Sequence, residues 1–155
     1  MSRRSNPRVT VKVHLPMLIG VGLSAGAIGV AVMTFGEKIE QAFTKRPNSE
    51  VPGLTLARLL GRLDSDKGKL NWPMHYGQGA ILGVLRATLS VYGLRGPFID
   101  FIFAGIRLLN DQTLENWTGA GALPWTWPVE EQVLDIAHKL VFATATGWVC
   151  DWWLR

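Results

Sequence analysis

The chain has 155 residues, 48% of them hydrophobic and only 18% charged, with a formal net charge of +4. That length holds one domain. A single cysteine, Cys150, excludes an internal disulfide and a thiolate-rich metal site, and no nucleic-acid motif accompanies the basic residues, so the charge suits an anionic membrane surface.

Residues 1–15 form a polar, basic tail with Arg3, Arg4, Arg8 and Lys12. His14 stands where the tail meets an apolar run and reads as an interfacial residue. From Pro16 to Phe35 the chain is apolar for twenty residues, which is long enough to cross a bilayer. Gly22 and Gly26 make a GxxxG stripe with Gly29 on the same face, the kind of surface that lets another helix approach closely. A cleaved signal peptide is the rival reading, because Ala25-Gly26-Ala27 resembles a cleavage site. The apolar run continues well past that point, which favours a retained helix. Residues 36–45 are polar enough to carry the same helix into water, so it is expected over 16–45.

Pro47, Asn48, Pro52 and Gly53 break the chain. Residues 54–63 place Leu56, Leu59, Leu60 and Leu63 on one face and Arg58 and Arg62 opposite. This predicts a short amphipathic helix that lies on the membrane or docks on the bundle. Residues 64–69 (DSDKGK) read as a solvated turn. Asn71-Trp72-Pro73 is expected to open the next helix, over 72–94, which carries His75, a second GxxxG at Gly79 and Gly83, and Arg86. An arginine inside a membrane needs a carboxylate, and Asp100 is the nearest in sequence.

Pro97 suits the first position of a helix, and nothing breaks the segment before Trp117. Those 21 residues would span roughly 31 Å, about one hydrocarbon thickness. Asp100, Arg107 and Asp111 share one face, and Arg107, Asp111 and Glu115 are spaced by four, so opposite charges lie one turn apart. Asn110 borders this stripe. After a flexible Gly119–Ala122 stretch comes Pro124-Trp125-Thr126-Trp127-Pro128, read either as an interfacial anchor or as an aromatic lid. The last helix is expected over 128–154. Glu130 and Glu131 occupy its first turn, where the helix dipole favours negative charge. Asp135 and His138 are spaced by three, and the helix ends among Trp148, Trp152 and Trp153.

The expected fold is all-α: an integral, multi-pass membrane bundle of about four transmembrane helices over 16–155, plus the short amphipathic helix. Seven Trp and seventeen Gly fit that setting. A soluble helical protein with one amino-terminal anchor is the structural alternative.

These segments resemble an uncharacterised family of small multi-pass membrane proteins of bacteria and fungi, which is distantly similar to the YagU-type bacterial inner-membrane proteins. The resemblance covers roughly residues 16–154, and its specific part is NDQTLEN (110–116) followed by PWTWP (124–128). It implies membrane location and a polar core including His75, Arg107, Asn110, Asp111, Glu115 and His138. It implies no reaction.

Three functions follow as expectations. The first is a structural or assembly component. In it His75, Arg86, Asp100, Arg107, Asn110, Asp111, Glu115, Asp135 and His138 form a buried polar network. Its partners are the bilayer and a second copy or partner protein at the Gly22/Gly26/Gly29 or Gly79/Gly83 faces. The second is a membrane-embedded isomerase or cyclase acting on a lipid-like substrate, with Asp111 or Glu115 as acid and His138 as base or orienter. The third is a proton-coupled transport subunit. None calls for a cofactor, a metal or nucleic acid.

Overall fold

The computed structural model describes residues 14–155, and the basic tail containing Arg3, Arg4, Arg8 and Lys12 lies outside the described residues. The chain folds into five α-helices: α1 (Leu15–Thr44), α2 (Val51–Leu59), α3 (Lys67–Val91), α4 (Pro97–Trp117) and α5 (Val129–Trp153). There is no strand among the described residues. A single 3-10 turn, Pro124–Thr126, interrupts the connection between α4 and α5.

The four long helices alternate in direction. α1 packs along α3 and α5, α3 also touches α5, and α4 packs on α5. α2 lies across the beginning of α3. Small residues set the closest approach. A Cβ on Gly22 would strike the backbone of Val84, one on Gly26 the Gly79 carbonyl, and one on Gly83 the Gly22 carbonyl. On α5, Thr146 and Phe142 occupy the space beside Gly29. The two glycine faces expected to receive another chain are therefore filled by each other and by α5. The reason is steric: without a Cβ at these positions the helix backbones come into direct contact.

Between the helices sits an apolar layer of Val30, Met33, Phe103, Ala104, Phe142 and Ala143. Phe103 and Phe142 meet with ring centroids 5.7 Å apart. A second cluster, around Ala25, Ala87, Val149 and Cys150, fills the end near the carboxyl terminus.

The outside of the bundle is apolar as well. Ile81 on α3 is 70% exposed, Phe98 and Leu109 on α4 are 74% and 67% exposed, and Trp148 on α5 is 67% exposed. Arg86, Arg107 and Asp111 are buried. By length and composition two helices, α1 and α5, can cross a membrane. The expected number was about four. α3 falls short because its first turns are polar, and α4 because Asp100, Arg107, Asp111 and Glu115 lie along it.

Two elements differ from expectation. α3 starts at Lys67, five residues before Trp72, because Asp66 caps it by accepting from the Lys69 N–H at 3.3 Å. Asn71-Trp72-Pro73 is thus inside the helix and does not open it. α2 starts at Val51 and ends at Leu59. It docks through Gly53, Thr55 and Ala57, leaving Leu59, Leu60 and Leu63 exposed. A Cβ on Gly53 would strike the Lys67 carbonyl, so only a small-residue face can come that close to α3.

Candidate functional site

The polar residues gather at the two ends of the bundle, with the Phe103–Phe142 layer between them. At the end holding the α3–α4 turn, Arg86 is the hub. Its guanidinium donates to Asp100 Oδ1 from Nε (3.0 Å) and Nη2 (2.8 Å), and to both oxygens of Asp151 at 3.0 Å. Ser90 Oγ lies within hydrogen-bond reach of Arg86 and donates to Asp151 Oδ1 at 2.7 Å. Gly96, with φ +86°, turns its N–H onto Asp151 Oδ2 at 3.0 Å. Arg95 closes the end by donating to the carbonyls of Ser90 and Leu154.

α3, α4 and α5 are thereby tied by one arginine and two carboxylates. Gly147 makes room for this: a Cβ there would collide with the Asp100 carboxylate and lie 3.0 Å from Arg86 Nη2. Each hydrogen-bonded group has a partner, and charge-assisted bonds of this kind are the stronger class. This end is a brace.

The opposite end is different. Arg107 Nε donates to Asp111 Oδ2 at 2.9 Å, one turn along α4. The same oxygen meets Lys139 Nζ of α5 at 3.3 Å, and Lys139 also pairs with Asp135. Asn110 Nδ2 donates to the other Asp111 oxygen at 3.3 Å. The Arg107 guanidinium sits over the Phe142 ring, 4.9 Å from its centroid, a cation–π contact. Its Nη1 is buried without a hydrogen-bond partner.

Beside this network opens a cavity of about 640 Å³. Its walls come from α1 (Met33, Thr34, Glu37), α3 (Trp72, His75), α4 (Glu115) and α5 (Asp135, His138, Lys139), with Arg46 and Trp127 from the connecting segments. Arg46 bridges Glu40 at 3.1 Å and Glu131 at 3.0 Å, tying the end of α1 to α5. Burial works against its charge, but hydrogen bonding to Glu40 and the nearby carboxylates hold its pKa above the usual guanidinium value. Trp125 is exposed, whereas Trp127 is pinned by its indole N–H donating to the Ala122 carbonyl at 2.9 Å. The aromatic segment thus supplies one exposed tryptophan and one that lines the cavity.

The residues singled out from sequence therefore divide. Arg86 and Asp100 form a pair at one end. Arg107, Asn110, Asp111 and Asp135 form the network at the other. His75, Glu115, Asp135 and His138 line the cavity. Asp151, Ser90 and Lys139 complete the two networks and were missed as members. The signal for Asp151 was an aspartate standing alone among Cys150, Trp152 and Trp153. The signal for Lys139 was its spacing of four from Asp135. Among the described residues no group of three histidine, cysteine or acidic side chains is placed to hold a metal ion.

No family model, curated protein or solved structure matches the chain.

Proposed function

We propose that the chain is a four-span integral membrane protein that works as a binding component, with α1, α3, α4 and α5 each crossing the bilayer. One end is braced and the other admits a ligand. The observation that carries this reading is the distribution of polarity. Large apolar side chains are exposed on all four long helices, while Arg86, Arg107 and Asp111 are buried between them. A water-soluble bundle has the reverse pattern, and a charge in lipid is tolerated where it faces the bundle interior and is paired. The resemblance to small multi-pass membrane proteins points the same way and names no reaction.

A purely structural role accounts for the Arg86 end and leaves the cavity without a purpose. A second reading, acid–base or proton-coupled chemistry, draws on Glu115, His75 and His138, which share the cavity wall. Asp111 is a poor acid in that scheme because Arg107 and Lys139 both hold its carboxylate. Proton uptake by proteoliposomes that is lost in Glu115→Gln would favour this second reading.

The four-span reading is tested by mapping single cysteines, in a Cys150→Ala background, with a membrane-impermeant maleimide on sealed vesicles. Four spans require Ser65→Cys and Ala120→Cys to label from one side and Leu94→Cys and Arg155→Cys from the other. Labelling of Leu94→Cys from the same side as either Ser65→Cys or Ala120→Cys contradicts it.

A further inference from the structure

Acidic side chains outnumber basic ones on the cavity wall: Glu37, Glu50, Glu115, Glu131 and Asp135 stand against Lys38, Arg46 and Lys139. Arg46 is committed to Glu40 and Glu131, and Lys139 to Asp111 and Asp135. Lys38 is turned toward Gln41 and Asn48. Among the described residues neither Glu37 nor Glu115 forms a salt bridge, and both line the cavity. Glu37 accepts only from the neutral Gln41 amide, at 3.1 Å. The chain as a whole is positive, with net charge +4, so this local sign is opposite to the global one.

Two tryptophans stand on the same walls. Trp72 is stacked on Tyr76 with centroids 5.9 Å apart, and Trp127 is fixed by its indole bond to Ala122. Trp72 is 55% exposed, with one face on Tyr76 and the other open. Indoles and carboxylates lining one cavity are the chemistry that recognises organic cations, through the ring quadrupole and direct charge attraction. His75 adds a buried Nδ1 without a partner. The volume, about 640 Å³, is that of a small-molecule site.

We propose that this cavity binds an organic ammonium cation, held by the Glu37 and Glu115 carboxylates with its alkyl groups against Trp72 and Trp127. The proposal rests on the reading of this end as the binding end. The ammonium belongs either to a free solute or to a lipid headgroup, and the recognising chemistry is the same.

The test uses the full chain in nanodiscs of phosphatidylglycerol, which lack ammonium groups, and measures equilibrium binding of radiolabelled choline. Saturable binding is expected. The neutral isostere 3,3-dimethylbutan-1-ol should compete at least about tenfold more weakly, and Glu37→Gln and Glu115→Gln should each weaken choline by about tenfold. Asp64→Asn, which removes the same unit of charge from an exposed loop outside the cavity, should leave affinity unchanged. Circular dichroism of each variant checks that helix content is intact. Nanodiscs containing phosphatidylethanolamine separate the sources: lost choline binding marks a lipid headgroup as occupant, and unchanged binding marks a free solute. Absence of saturable choline binding in phosphatidylglycerol, equal affinity for the alcohol, or full affinity in both glutamine variants overturns the proposal. If choline fails to bind while the cysteine map shows four spans, only the ligand assignment falls. A map without four spans removes the underlying reading whatever choline does.

Discussion

Arg86 and Asp100, on consecutive antiparallel helices, meet at 2.8 Å in a space that exists because residue 147 has no side chain. The arginine also holds Asp151 at 3.0 Å. Replacing Arg86 alone with Met leaves two carboxylates facing each other without a counter-ion. The expected loss is about 3–5 kcal/mol of stability. Combining Arg86→Met with Asp100→Asn and Asp151→Asn removes every charge and should recover most of that loss. Unfolding in mixed micelles compares the variants directly.

Gly147→Ala separates packing from helix propensity. Propensity alone favours alanine in a helix by about 1 kcal/mol. Here the new methyl would collide with the Asp100 carboxylate, and overpacking should reverse the sign, costing about 1–3 kcal/mol. On α4, a methyl group added at Gly105 would meet nothing within 4 Å, so Gly105→Ala should stabilise. In an Asp100→Ala background the penalty at Gly147 should largely disappear. The same unfolding assay reads all three.

Gly26→Leu tests which surface the small-residue stripe serves. A side chain at residue 26 must displace the Gly79 backbone. The expected outcome is loss of folded chain, seen as lowered unfolding stability. The folded fraction should keep its mass by light scattering, because the stripe is spent inside one chain.

How much of this was readable depends on what each residue type signals locally. Pro97 and the uninterrupted segment after it mark α4, since proline fits a first turn and nothing breaks the helix before Trp117. The Arg86–Asp100 pair was readable from the cost of a lone buried charge. The start of α3 was not, because Pro73 looks like a beginning when its true cap, Asp66, lies in a polar turn. Nor was the docking face of α2. The leucine stripe satisfies the usual rule for a buried face, yet in this setting Gly53, Thr55 and Ala57 make the close contact and Leu59, Leu60 and Leu63 are left exposed. The division of the polar residues between a brace and a cavity depends on contacts between helices far apart in sequence, such as Lys139 with Asp111, and spacing along one helix does not carry that.

Asp66 gives a pH dependence of known sign. The Lys69 backbone N–H holds its carboxyl below the usual value of 3.8. A depressed folded-state pKa contributes stability that is in full force above the unfolded value and is lost as pH falls through the folded one. Asp66→Ala should therefore melt below the parent at neutral pH, and the two should converge in strong acid. Thermal melts across that range show it.

The central claim is that α3 and α4 lie in lipid, with their apolar residues outward and their charges inward. Spin labels at Ile81 and Leu109, placed through cysteines in a Cys150→Ala background and read in liposomes, test it most directly. The account predicts frequent collisions with oxygen, which concentrates in the bilayer, and few with a water-soluble nickel chelate. Frequent nickel collisions with little oxygen broadening at both positions would contradict it and place these helices in water.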